Sequence, residues 1–461
     1  MIELGTRMEL FVDSFLIEEL NGVRQVLHQP VYAGKALKFD KPWEGKACGY
    51  PTVMKDGSMY RLYYRGWPVV GDKESGSVCC ALSGDGKVFT KPKLGLYEMF
   101  GTWENNIILR GDGSPSFSPF IDKKPGIPEE EKYKALGVGR IEGLDDVLYA
   151  FVSADGVHWK KIQEEPVMTK GAFDSHNVPF WSEHEGCYAA YYRTWLNTED
   201  PSVMKGIRTI SRSTSEDFIH WSDPEPMDFG DTPPENLYTN STFPYFRAPH
   251  IYLSFPKRFI PGRRTLSEKE IEALQLVPKY AGDISEGVFM TSRGGNTYDR
   301  TFMEAFLRPG PDRGNWISRS NMSAWGIVPT GLRELSLYYQ HRYMQPAHYL
   351  ARYTIRTDGF VSIQAPYQKG EFLTKPFTFS GERLLLNYET SGSGSINVEL
   401  RTEKNQPIPG FTFENSDAAY GDEIERAVTW RGKAALKAVK NQAVRLCFRM
   451  KDADLYSIVF Q

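Results

Sequence analysis

A chain of 461 residues exceeds what one ordinary hydrophobic core holds, so two domains or a large closed β-architecture are expected. Its formal charge of -3, from 55 basic and 58 acidic residues in scattered order, excludes the massed positive field of a nucleic-acid binder. With 41 Gly, 29 Pro and 13% aromatic residues it carries more helix breakers than a helical protein tolerates, and the class is all-β.

Five cysteines, Cys48, Cys79, Cys80, Cys187 and Cys447, form no Cys-x-x-Cys pair and are read as free thiols. The amino terminus has no basic start followed by an apolar run, and no stretch of about 18 apolar residues occurs. The chain as given therefore reads as cytoplasmic, or as secreted or periplasmic if a signal has been removed, with no membrane partner.

In chain order, Leu10–Ile17 and Val23–His28 read as strands around an Asn21-Gly22 turn. A loop with Trp43-Glu44-Gly45 precedes strands at Tyr50–Met54, Met59–Arg65 and Val78–Ser83, the last followed by an Asp85-Gly86 turn. The same order recurs from Ser116, with a turn at Ser153-Ala154-Asp155-Gly156, and again from Phe173, with a turn at Ser213–Trp221. Further units begin near Thr242 and Ala324, and Leu266–Gln275 is a helical insertion with a Ser-x-x-Glu capping box. Repeated four-stranded meanders with a shared turn and flanking aromatics predict a five-bladed β-propeller from roughly residue 40 to 365. A long β-sandwich is the alternative. After Lys375 short alternating strands predict a C-terminal β-sandwich, so the expected domains are 1–370, propeller with N-terminal strands, and 371–461.

In a propeller the innermost strands converge on one funnel, which nominates the polar residues at their starts. Glu44, Asp174 and Glu235 are the candidate carboxylates, with Glu235, after Thr232-Pro233-Pro234, as proton donor. His176, Asn177, Tyr238, Asn240, Arg247 and Arg319 are candidate substrate-binding residues, and Trp43 and Trp316 could stack on sugar rings. Arg193, at a strand end, reads as a structural ion-pair partner. No metal or other cofactor is called for, although the funnel's Asp, Asn and His would suit a structural calcium-like ion.

Leu10-Phe11-Val12-Asp13, Trp43-Glu44-Gly45, Phe173-Asp174-Ser175-His176-Asn177, Glu235–Asn240 and Lys451–Tyr456 resemble bacterial proteins similar to glycoside hydrolase family thirty-two. The resemblance spans nearly the whole chain. It implies a five-bladed propeller with a following sandwich, three acids in the funnel, Asp174 as the middle aspartate and Glu235 as the proton donor. The chain lacks that clan's Asn-Asp-Pro-Asn, Arg-Asp-Pro and Glu-Cys motifs, and Glu44 is the first acid by position alone. The expected function is glycoside hydrolysis of an oligo- or polysaccharide. A carbohydrate-binding propeller without catalysis, a protein-contact scaffold, and a uronate lyase using Tyr238 or His176 as base are the alternatives.

Overall fold

The computed structural model describes residues 1–69, 72, 75–144, 146–196 and 206–461. The chain is nearly all β and divides into two compact units, Pro30–Tyr245 with Pro249–Thr354, and Met1–Gln29 with Phe246–Ala248 and Ile355–Gln461.

The first of these is built from antiparallel meanders. Gly49–Asp56, Met59–Gly66, Ser77–Ser83 and Ile107–Arg110 form one sheet. Gly113–Ile121, Tyr133–Arg140, Asp146–Ser153 and Lys160–Lys161 form the next, and Val178–Ser182, Cys187–Leu196, Ile207–Ser215 and Glu225–Pro226 the third. The expected fourth blade is split into two three-stranded sheets, one from Leu237–Thr239, Lys257–Ile260 and Ile284–Gly287, the other from Thr242–Tyr245, Ala248–Ser254 and Met290–Ser292. The last sheet runs Met322–Ser323, Glu334–His341, Tyr349–Arg356, and ends on Val31–Lys38 from the start of the chain.

These sheets close on one another. Gly113–Ile121 packs between Gly49–Asp56 and Val178–Ser182, which in turn meets Thr242–Tyr245; Ile284–Gly287 meets Met322–Ser323, and a parallel bridge from Thr52 to Trp325 returns to the first sheet. A sheet flanked on both sides by its neighbours buries both faces. Tyr133–Gly139 is accordingly buried at every position, where a half-exposed sheet would alternate.

The shared turn has a common mechanism. In Ser83–Gly86, Ser153–Gly156 and Ser215–Phe218 the serine Oγ accepts the backbone N–H three residues on, at 3.0, 2.9 and 2.9 Å. The intervening aspartate accepts the following backbone N–H groups. The residue after the aspartate has positive φ each time: Gly86 (71°), Gly156 (74°) and, in the third copy, Phe218 (70°). Glycine reaches that conformation freely, whereas Phe218 holds it by burying its ring against Phe120, Tyr188 and Trp221. The predicted insertion is a helix, Glu268–Ala273, capped by the Ser267–Glu270 box.

The second unit corrects the expected domain boundary. Ile2–Gly5 pairs with Phe377–Phe379, Ile17–Asn21 with Gly370–Thr374, and Arg24–Leu27 with Val361–Ala365. The N-terminal strands thus belong with the C-terminal segment, because among the described residues their ladder partners lie there. All join a ten-stranded sheet dominated by Leu384–Thr402 and Val444–Phe460, whose register shifts at Asn387/Tyr388 and Thr390/Ser395 mark bulges that bend the long pair. Its core includes Phe11, Phe372, Phe377, Leu386, Phe448 and Phe460.

Candidate functional site

Several inner-strand and second-strand residues of the propeller unit gather at one place. Tyr50 and Thr52 come from the first inner strand, and Arg65 from the end of the strand beside it. Asp174 and His176 precede the third inner strand, while Arg193 and Arg208 lie on the next two strands of that sheet. Tyr238 and Lys257 lie on paired strands of the split blade, and Arg319 sits just before Met322–Ser323.

The Tyr238 ring is the hub. Lys257 Nζ lies 4.0 Å from its centroid, and the guanidinium carbons of Arg193, Arg208 and Arg319 lie at 5.3, 5.5 and 5.5 Å. Arg65 stacks at 4.6 Å on both Tyr50 and Trp67, and donates to the carbonyls of Pro115 and Ala47. Burial first, then Arg319, Arg208, Arg193 and Arg65, push the Lys257 ammonium well below the usual lysine range.

A pocket beside this hub is lined by Arg65, Trp67, Ser116, Asp146 and Asp174, among others. His176 lies behind it, fully buried, its Nε2 3.2 Å from Thr52 Oγ1 and its ring 5.7 Å from that of Tyr50. Burial draws its pKa down to about 3, so it is an uncharged positioning group rather than an acid. The Asn177 and Asn240 amides tie loop backbone, to the carbonyls of Phe173 and Ser175 and to that of Tyr191. Tyr50, Arg319 and Asn321 hold left-handed backbone, at φ 49°, 66° and 61°. Such strain is costly for residues with side chains and concentrates at binding sites.

Five of the predicted site residues are engaged elsewhere, and the reasons are physical. Glu44 is fully buried, with one oxygen accepting from Tyr64 Oη at 2.7 Å and the other from Lys91 Nζ at 2.7 Å and Lys41 N at 2.8 Å. That carboxylate is a core ion-pair partner. Glu235 lies between Arg258 and Arg300, each at 2.5 Å, and a carboxylate gripped by two guanidinium groups is ill suited to donate a proton. Arg247 belongs to the other unit, paired with Asp358 at 3.1 Å and Glu425 at 3.2 Å. Trp43 is buried core, its Nε1 bound to Asn106 Oδ1 at 2.8 Å. Trp316 is half-buried and donates to the Gly310 carbonyl at 2.7 Å.

Sequence reasoning passed over Arg65, Arg208, Lys257, Tyr50 and Asp146. One signal was present: Tyr63-Tyr64-Arg65 and Tyr191-Tyr192-Arg193 repeat the same triplet on the second strand of two sheets. Among the described residues no group of three or more His, Cys, Asp or Glu gathers to hold a metal ion.

No family model matches the chain, and no curated protein matches it. Solved structures similar to it include a thermostable family-43 glycoside hydrolase, at 15% identity over 69% of this chain and 93% of that one, with a TM-score of 0.44. An exo-inulinase from Aspergillus awamori covers 92% of this chain and 99% of its own at 11% identity and a TM-score of 0.38. An N-acetylgalactosamine deacetylase from F. plautii covers 72% and 96% at 12% identity and a TM-score of 0.48. At these scores the likeness carries no weight for the chemistry, which rests on the chain's own residues.

Proposed function

We propose that the propeller unit is a carbohydrate-active enzyme that hydrolyses a glycosidic bond, with Asp174 and Asp146 as its two carboxylates. The observation that carries this reading is that both line one pocket, together with Arg65, Trp67 and Ser116. Glycoside hydrolysis requires one carboxyl group to protonate the leaving oxygen and a second to act as base or nucleophile. Glu44 and Glu235, committed to Lys91 and to two arginines, leave those roles to this pair.

Elimination is the second reading, favoured by one feature: Lys257 sits against Tyr238 with its pKa drawn down by burial and neighbouring arginines, which suits a base that removes the proton α to a sugar carboxylate. One experiment separates the two. A panel of neutral and acidic oligosaccharides is incubated with the wild type, Asp174→Asn, Asp146→Asn and Lys257→Met. Hydrolysis releases reducing ends without ultraviolet absorbance and is lost in either aspartate variant. Elimination gives an unsaturated, ultraviolet-absorbing product and is lost with Lys257→Met. An absence of turnover on the whole panel, with sugar binding retained, would leave a lectin-like propeller.

A further inference from the structure

The propeller unit satisfies most of its buried or half-buried arginines with carboxylates. Arg212 meets Glu185 at 2.7 Å, Arg258 meets Glu235 and Glu286, Arg300 meets Glu235, and Arg342 meets Asp312 at 2.8 Å. At the hub this rule fails. Arg65, Arg193, Arg208, Lys257 and Arg319 converge on Tyr238 and Tyr50, and none of them forms an ion pair with a described carboxylate.

Arg193 is only 4% exposed, yet its Nε and Nη2 have no hydrogen-bond partner among the described residues; Nε of Arg208 and of Arg65 are likewise unpartnered there. Among the described residues, the ammonium of Lys257, 1% exposed, meets only the Met322 sulfur at 3.8 Å and the Tyr238 ring. Burying a cation without a counter-charge costs several kcal/mol. The aromatic faces return about 0.5–2 kcal/mol per contact, which leaves the N–H groups unsatisfied. A fold that keeps such a cluster has a use for it, and guanidinium forks match the oxygens of carboxylate and sulfate bidentately.

We infer that the centre of the propeller unit is built to receive an anionic group carried by a sugar, a uronate carboxylate or a sulfate ester, between Arg193, Arg208, Lys257 and Arg319. The sugar in this statement rests on the carbohydrate reading above; the oxyanion does not. Asp174 lines the neighbouring pocket together with Arg65, which joins the anion site to the proposed catalytic carboxylates.

The test is calorimetry and thermal unfolding of the full chain at constant ionic strength with sodium sulfate, sodium D-glucuronate, a sulfated glucose and D-glucose. The expected result is that the charged sugars bind and raise the melting temperature while D-glucose does neither. Arg193→Gln and Arg208→Gln each weaken that binding at least about tenfold, the loss of one charge-assisted hydrogen bond. Without ligand the same variants melt no lower than the wild type, since each removes a repelled charge; a merely structural arginine would show the opposite. Tighter glucuronate binding assigns a carboxylate, and tighter binding of the sulfated sugar assigns a sulfate ester.

Equal behaviour of charged and neutral sugars overturns the inference, as does wild-type affinity in both arginine variants, and binding of inorganic sulfate alone overturns its sugar part. Should Arg193→Gln fail to fold, the wild-type series and the half-buried Arg208 still decide the matter. Turnover of neutral sugars with no anion binding would spare the hydrolase reading and sink this one; anion binding in a protein that turns nothing over would do the reverse.

Discussion

Acid should destabilise the propeller unit through three histidines before its carboxylates titrate. His176, His341 and His348 are buried, and burial draws their pKa values down to about 3, about 4 and about 3 from the ordinary 6.5. In the folded state they stay neutral while the unfolded chain takes up protons below pH 6.5. Their contribution is therefore fully present above 6.5 and is lost as pH falls from there toward 4. Each group costs about 1.4 kcal/mol per pH unit once well below 6.5. Between pH 6.5 and 5 that is roughly 1.5 kcal/mol per histidine and about 5 kcal/mol for the three, comparable with the whole stability of a domain. Urea unfolding followed by tryptophan fluorescence across this window measures it. His348→Phe isolates one proton, because both ring nitrogens of His348 lack partners and its ring lies 4.6 Å from Phe39 and 5.7 Å from Tyr343. That variant should lower the pH slope by about a third. A wild-type stability flat from pH 6.5 to 5, or an unchanged slope in His348→Phe, would refute the reasoning.

Glu44→Gln should destabilise the fold by about 1–3 kcal/mol, because the buried oxygen that accepts from Lys91 and from the Lys41 N–H loses its charge while Asp40 still pairs with Lys91, and turnover per folded molecule is unchanged; chemical denaturation with activity on the surviving fraction checks both. Phe218→Gly relieves a left-handed backbone worth about 1 kcal/mol but empties a site whose loss costs about 3–5 kcal/mol, so a net loss of about 2–4 kcal/mol is expected in the urea midpoint. Lys257→Met removes a buried cation and should raise the melting temperature by a few degrees, while anion binding or turnover falls; a stability loss would mean the amine is structurally held.

Much of the architecture was legible because its signals are local. The Ser-x-Asp turn is fixed by hydrogen bonds within four residues, and the Ser267–Glu270 box by bonds within one helical turn, so both show in the sequence. The assignment of residues 1–29 was not legible. Ile2 pairs with Phe377 and Leu27 with Val361, and a ladder spanning more than three hundred residues leaves no mark near either strand. The carboxylates divide in the same way. Asp174 reached the site because it immediately precedes an inner strand; Glu44 occupies a similar place in the sequence, but Lys91, 47 residues on, claims it. Arg208 and Lys257 look like ordinary solvent-facing cations in a strand. Only the meeting of the third sheet with the split blade turns them inward to one tyrosine.

The pairing of Val31–Lys38 with Tyr349–Arg356 also governs timing during synthesis. The ring's outermost strand leaves the ribosome some three hundred residues before its partner exists. Until then it is a sheet edge with open backbone groups and an apolar start, Val31 and Tyr32, that stays 68% and 50% exposed even in the finished protein. Nascent chains of this protein should consequently depend on holding chaperones, and polypeptides that stop short of residue 349 should aggregate through this strand rather than accumulate as soluble partial rings.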